Sequence, residues 1–445
     1  VGRDGTPWGR ALAPLLLAAG VACGTPAGPP PADPLPRGVH ALAGLDPALP
    51  PDDLAPFDAL VGGARFVALG ESTHTSAGFY QAKARLVRHL VERRGFRVLL
   101  LETPWLEALP ATRYVATCEG TPEAATRSLN GVWRDASVRE LLRWMCTHNR
   151  AHPADPVHFL GFDVQEPWAG QAHVRAFLER TAPADAERFS APLRECLGAG
   201  FADGAAFGAS AQYADWRAGR KDEARHATCV GGLGVLEAWL AEREAALAAA
   251  SSAAALEEAR VALVGLRAFE DQLHLGDPAG YEARDWGMAQ SVLRLHALHT
   301  PGRRAAVWAW NWHIARDYPS MRGFDDDPAA RVPRQGARAM GTFLHEVLGA
   351  QDYVPLALTG WRVETNGGLA PPRSGREESV ERWLHGLGQE GPGRDVLLVD
   401  LRAPVGEGLL APGTERLLSQ EWGDPFRQFA GLLYLEHSPA MQHLP

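Results

Sequence analysis

Phe66–Leu69 is a short apolar run that stops at Gly70, and an unbroken run of this length predicts a strand buried on both faces and closed by a tight turn. From Phe79 to Arg94 apolar residues return at helical spacing, and Gly95 supplies the stop. A second apolar run, Val98–Leu101, ends on Glu102. Strand, helix and strand of these lengths make a right-handed crossover, which predicts Glu71, His74 and Glu102 at the carboxyl ends of neighbouring parallel strands. Val157–Phe162 reads as a third buried strand, and Ala305–Ala309, Tyr353–Leu358, Val396–Leu401 and Gly431–Leu435 continue the series. From about Pro167 to His299 the text changes: Ala, Glu, Arg and Leu dominate, and Val235–Leu275 has almost no Gly or Pro. That stretch predicts long helices, with a turn or weak point at Ala249–Ala254. The expected fold is α/β, a mostly parallel sheet with flanking helices and an inserted α-helical subdomain at about 167–300 that roofs a cleft. Arg322–Arg338 and Gly367–Glu378, rich in Gly, Pro and charge, read as loops able to close over a site.

At 445 residues and 46% apolar content the chain can bury a large core, as one domain or two. Net charge is −9 and no Lys/Arg-rich run occurs, so nucleic acid, which demands cationic neutralisation, is not an expected partner. Arg3 and Arg10 precede a mostly apolar stretch, Ala11–Ala22, then Cys23 and a Pro/Gly-rich tract. That is the order of an export signal, and an apolar stretch of about twelve residues is too short to span a bilayer. The expected division is a signal at 1–22, a linker at 23–40 and one domain from 41 to 445. Cys23 suits diacylation, which would place a lipid-anchored protein in the envelope or periplasm, with membrane contact through that anchor alone. Gly20-Val21-Ala22 also fits ordinary cleavage and free secretion. The competing reading is a start codon placed too far upstream of a cytosolic protein, since the chain opens on Val1. Cys118, Cys146, Cys196 and Cys229 remain. In an exported chain they would pair as sequence neighbours, 118–146 and 196–229; in a cytosolic one they would be buried thiols. No CxxC spacing suggests zinc.

His74 stands at a strand-to-helix turn among Ser72, Thr73 and Thr75, a placement suited to a general base working near neutral pH. The bland alternative is a histidine that satisfies a helix N-terminus. Glu71 and Glu102 directly follow two strand runs: a carboxylate beside an imidazole raises its pKa and fixes its tautomer, and a second can hold the attacking water. Either could instead be an acid favoured by a helix dipole. His313, just past another strand, is placed to protonate a leaving alkoxide or hold an oxyanion. Asp163 follows the third strand and is suited to orient a histidine. Arg85, Arg284 and Arg316 are candidate oxyanion or carboxylate clamps, with Arg85 also well placed for helix packing. Gly386-Leu-Gly-Gln-Glu-Gly matches a dinucleotide motif but follows a helical pattern and runs into a strand, the wrong order for such a loop. Gly-x-Ser-x-Gly and His-Glu-x-x-His are both absent.

Read in order, Gly-Glu-Ser-Thr-His (70–74), the helix text from Arg85, Leu-Leu-Leu-Glu-Thr (99–103) and Leu-Gly-Phe-Asp-Val-Gln (160–165) resemble the erythromycin esterase family. Arg-Asp-Trp-Gly-Met-Ala (284–289), Val-Trp-Ala-Trp-Asn-Trp-His (307–313) and Gly-Leu-Leu-Tyr-Leu-Glu (431–436) extend the likeness across most of the chain after about residue 55. The resemblance, which includes succinoglycan biosynthesis-like relatives, implies a metal-independent hydrolase without cofactor, acting on a small-molecule ester or macrolactone, macrolide inactivation included. It implies His74 as base, Glu71 and Glu102 positioning base and water, and His313 assisting. The competing classes are an envelope binding protein that has lost turnover and a metal-dependent hydrolase of the same fold. The family commonly reads Thr-His-Gly-x-x-Glu and later His-Asn-x-His; here Thr75, Gly78 and Trp310 depart from it. Those departures near the pocket predict an altered choice of substrate, with Trp310 among its contacts.

Overall fold

The strands, in chain order, are β1 (Val39–Ala41), β2 (Phe66–Leu69), β3 (Phe96–Pro104), β4 (His158–Asp163), β5 (Arg304–Trp308) and β6 (Arg322–Phe324). They continue with β7 (Tyr353–Thr365), β8 (Gly368–Leu369), β9 (Val396–Asp400), β10 (Arg416–Leu418), β11 (Glu421–Gly423) and β12 (Gly431–Ser438). The computed structural model describes residues 34–165, 167–197, 221–324, 336–369, 377–403, 412–419 and 421–444. The expected export signal and Cys23 lie outside the described residues, as do 325–335 and 370–376 of the two expected closing loops.

The main sheet runs β1-β9-β12-β7-β2-β5-β3-β4, with β8 hairpinned onto β7. From β12 to β4 every pairing is parallel, while β9 is antiparallel to both its neighbours. A three-stranded antiparallel sheet, β10-β11-β6, stands apart. Both faces of the main sheet are covered, which is why its strands read as continuous apolar runs. Val67, Leu69, Leu99 and Leu101 pack on one side with Phe79, Leu86 and Leu90 of the helix Ala77–Arg94. Phe66, Ala68, Val98 and Leu100 pack on the other with Met288 and Val292 of Ala279–His299 and Met340 of Met340–Leu348. The alternation follows from the two-residue period of a strand.

The crossover helix ends where its sequence says it should, with Gly95 in the left-handed region at φ 70° and its N–H bonded to Leu90 O. One expectation needs correcting: β2 and β3 are not neighbours. β5 lies between them, with Val307 paired to Ala68 on one side and Leu100 on the other. The crossover rule gives handedness and leaves room for a later strand to enter. The linker expected through residue 40 also stops earlier, because Val39–Ala41 pairs with Val399–Leu397 on the outer edge of β9.

Between β4 and β5 run Pro167–Thr181, Pro183–Leu197, Glu223–Glu242, Glu244–Ala250, Ala253–Leu275 and Ala279–His299. Most share an apolar core of their own, including Phe177, Leu233, Trp239 and Leu266. The expected weak point falls at Ser251, and Ser252 restarts the helix by accepting the N–H of Ala255 at 3.0 Å. Cys118 is bonded to Cys146 and Cys196 to Cys229, with Cα separations of 5.3 and 4.6 Å. Among the described residues no helix is long and apolar enough to cross a membrane.

Candidate active site

Four adjacent parallel strands, β2, β5, β3 and β4, end at one edge of the sheet and deliver one cluster of side chains. Past β2, Gly70 lets Asn311 approach: a Cβ there would stand 3.0 Å from Asn311 Cα. Asn311 in turn donates its backbone N–H to Glu71 O at 2.9 Å. Glu71 is fully buried; its Oε1 lies 2.6 Å from His74 Nδ1, and its Oε2 accepts the Lys83 ammonium at 2.8 Å. Lys83 also donates to Ala309 O at 3.2 Å and lies over the Trp308 ring. Because a carboxylate only accepts, Nδ1 carries the hydrogen and the neutral imidazole keeps Nε2 as its basic nitrogen.

A second network surrounds Arg284. Its Nε and Nη2 donate to the two oxygens of Asp163 at 3.2 and 3.1 Å, Nη2 also to Glu102 Oε1 at 3.0 Å, and Nη1 reaches His313 Nε2 at 3.1 Å. That accounts for four of the five guanidinium N–H groups and leaves one on Nη1 without a partner among the described residues. The second Glu102 oxygen accepts the Trp310 backbone N–H at 2.9 Å. On the far side of His313, Nδ1 meets Asp285 Oδ1 at 2.8 Å, with Tyr281 stacked on the ring. Asp285 is itself fixed by the N–H of Met340 at 2.7 Å.

Both networks border one cleft of about 430 Å³, lined by Ser72, His74, Glu102, Trp133, Arg284 and Trp310 with Asp163 and His313 among its other walls. His74 keeps 34% of its side chain open, whereas Glu71 has none, so water reaches the imidazole and not its carboxylate partner. Burial pushes the His74 pKa down, but the hydrogen bond and charge of Glu71, helped by Glu102, hold it above its ordinary value. Burial pulls Lys83 down to about 8 against the opposing pull of Glu71. For Arg284, burial is outweighed by Asp163 and Glu102, and the guanidinium is held firmly charged. Among the described residues no group of three or more His, Cys, Asp or Glu side chains is arranged to hold a metal ion.

Seven of the nine expected site residues therefore meet: Glu71, His74, Glu102, Asp163, Arg284, Trp310 and His313. Arg85 and Arg316 do not. Arg85 is spent on Asp53 and the carbonyls of Gly44 and Pro50, tying the segment before β2 to the crossover helix. Arg316 donates to the carbonyls of Phe426 and Phe429. The roof expected from residues 167–300 reduces, among the described lining, to Arg284 on the last helix of that stretch. Lys83, Tyr281, Asp285 and Trp133 escaped the reading of the sequence. A signal existed for two of them: Lys83 falls four residues from both Phe79 and Val87, and Asp285 four from both Tyr281 and Ala289, each a charge on a buried helical stripe.

The family's model matches residues 91–437, and the chain belongs to the erythromycin esterase family of hydrolases. The match takes in Glu102, Asp163, Arg284, Trp310 and His313; Glu71, His74 and Lys83 precede it. Erythromycin esterase type II of Escherichia coli is 26% identical over 113 residues, 25% of this chain and 26% of that protein. YbfO of Bacillus subtilis (strain 168), which carries a provisional hydrolase name, is 30% identical over 114 residues, 25% of each chain. The chain thus spans about a quarter of the length of the curated relatives it matches. A solved succinoglycan biosynthesis protein superposes with a TM-score of 0.71 at 19% identity, over 92% of this chain and 96% of that one. A mutant of the erythromycin esterase EreC in its open conformation gives 0.69 at 18%, over 91% and 98%. These two share the fold.

Proposed function

We propose that the protein hydrolyses a carboxylic ester or lactone of a small molecule with water activated by His74. The observation that carries this reading is the 2.6 Å contact of Glu71 with His74 Nδ1 at the wall of a cleft that Arg284 also lines. In the proposed reaction Nε2 of His74 takes a proton from water while its oxygen bonds to the carbonyl carbon. The carbonyl oxygen gathers negative charge beside Arg284, whose remaining Nη1 hydrogen is available to it. The carbon–oxygen bond to the alcohol then breaks, and the His74 proton passes to the departing alkoxide, giving acid and alcohol. Glu102 and Asp163 hold the guanidinium in place. His313 has partners on both ring nitrogens, so it acts through Arg284 in this scheme and not on the substrate, a narrower part than its strand-end position alone suggested.

The chemistry of the carboxylates favours this route over a metal-dependent one. Glu71 already neutralises Lys83, and Glu102 and Asp163 neutralise Arg284, so a divalent ion would have to displace buried cations. Macrolides are one class of lactone to be tried, and Trp310 in the lining supports a substrate choice of its own. The two disulfides support an oxidising compartment, hence export by secretion or by an anchor at Cys23.

The test is a panel of aryl esters, alkyl esters, lactones and macrolides assayed with wild type and His74→Asn. The expected result is turnover that falls about 10²–10⁴-fold in the variant, with ligand affinity little changed and the wild-type rate unaltered by chelator. Binding without turnover in both proteins would establish a binding module, and activity lost to chelator but restored by zinc or manganese would establish the metal enzyme.

A further inference from the structure

We infer that residues 438–444 form a strap that positions His74, by holding its turn and the Trp133 segment in one fixed relation across the carboxyl edge of the sheet. The inference rests on the hydrolase reading for what His74 does, and on geometry alone for what holds it.

β12 ends at Ser438. The chain then runs antiparallel to the residues just after His74: Ser76 bridges to Ala440, Ala77 donates its N–H to Pro439 O at 2.7 Å, and Met441 donates to Thr75 O at 2.9 Å. The Ser76 and Ser438 hydroxyls meet at 2.6 Å. Three residues on, the same segment grips the stretch after Trp133. Gln442 donates to Asp135 Oδ2 at 3.1 Å, His443 bridges to Asp135, and Leu444 donates to Arg134 O at 2.8 Å. The Trp133 and His74 rings stand nearly perpendicular, centroids 5.1 Å apart, and the indole N–H bonds to Glu102 O. One short segment therefore ties the base to the wall behind it.

Two features of the turn need such a tie. Thr75 has φ 64°, a left-handed conformation unusual for a threonine, and persists only where the surroundings over-determine it. Its N–H is fixed by Tyr80 Oη at 2.9 Å and its carbonyl by the strap. Gly78 is the other feature. A Cβ there would stand 2.5 Å from Ser438 Oγ and 3.0 Å from Ser438 Cα, so only glycine admits the strap at this distance. Thr75 and Gly78 are the two positions at which the chain departs from the Gly-x-x-Glu that commonly follows the family's histidine. Here they belong to one device: Ser438 closes directly on Gly78, and the left-handed turn at Thr75 is held from outside by Met441. The family's model ends at residue 437, one short of the strap.

The test compares Gly78→Ala, which crowds Ser438, Met441→Pro, which removes the N–H given to Thr75 O, and the double variant Gly78→Ala/Ser438→Gly, which relieves the two closest contacts, with Ser438 Oγ and Cβ, and leaves the 3.0 Å approach to Ser438 Cα. Each is assayed for kcat and KM, for melting temperature, and for the His74 ring titration by NMR with labelled histidine, assigned from His74→Asn. Displacement of order an ångström at a catalytic group can cost about 10²-fold. The expected result is a kcat lowered roughly 10- to 100-fold with KM within about threefold in both single variants, a His74 pKa falling back toward its ordinary value, and partial recovery of both in the double variant, which lacks the Ser76–Ser438 hydroxyl contact. Wild-type kcat and titration in folded Gly78→Ala and Met441→Pro would overturn the inference. So would lost activity that accompanies a lower melting temperature and an unchanged His74 titration, the signature of a merely structural segment. The titration requires no substrate. An absence of ester turnover in the wild type would therefore sink the hydrolase reading while the strap is still decided by the ring pKa.

Discussion

Glu71 Oε1 and His74 Nδ1 lie 2.6 Å apart, the carboxylate fully enclosed and the imidazole one-third open. This pairing makes the base stronger than a free histidine, and Lys83, on the other Glu71 oxygen, works against it. The profile of kcat/KM should rise with pH through an inflection above 6.5, the ordinary histidine value, because only neutral His74 accepts a proton. Glu71→Gln should move that inflection down and lower the plateau, and Lys83→Met should move it up. The stability linkage has a definite sign. A folded-state pKa above the unfolded one stabilises fully below about 6.5 and loses that contribution as pH rises through the folded value. Denaturant midpoints of wild type and His74→Asn across pH 5 to 9 measure it, and a gap between them that widens with rising pH would refute the assignment.

Among the described residues Arg284 is the guanidinium that neutralises both Glu102 and Asp163, all three groups being buried or nearly so. Arg284→Met should cost about 3–5 kcal/mol in urea unfolding, since it leaves buried charges unpaired. Arg284→Lys restores charge without the fork, so it should recover more stability than activity. Equal recovery of both would remove the oxyanion role.

Trp310 meets Glu102 through its backbone and Ser72 through its indole, so replacing the side chain keeps the first bond and gives up the second, together with the ring contact to His313. Trp310→His should leave the melting temperature within a few degrees while changing KM unequally for bulky and small esters. A uniform change across the ester panel would argue that Trp310 has no part in substrate choice.

Non-reducing peptide mapping should recover the linked pairs 118–146 and 196–229. With sequence separations of 28 and 33 residues, chain entropy assigns about 3–4 kcal/mol to each closure. Double replacement of either pair by Ala should lower the unfolding free energy by an amount in that range, and a loss under about 1 kcal/mol would show that the unfolded chain gains little from the link.

The strand ends were open to reading because breakers and run lengths act over a few residues. Gly70 after Phe66–Leu69, and acids after the later apolar runs, placed Glu71, Glu102 and Asp163 at one edge without knowledge of any partner. The disulfide pairs were legible for a related reason, since each closes a loop between neighbours in sequence. Arg85 and Arg316 misled because a charge at a promising position says nothing about which carbonyls will surround it, and both were met by carbonyls that local text does not announce.

What the sequence alone determined is the kind of element each residue occupies and, with it, the edge at which the chemistry gathers. The order of the strands belonged to the tertiary structure. Val307 sits between Ala68 and Leu100 although it lies more than 200 residues away in the chain, and no local periodicity carries a choice of that range. The same holds for Lys83 and Asp285, whose charges look misplaced on apolar stripes until Glu71 and His313 arrive from other elements, and for the strap, whose grip on Thr75 depends on Ser438 fitting over Gly78. Burying a charge or a strained turn is unfavourable in isolation, so only the assembled partners make those residues intelligible.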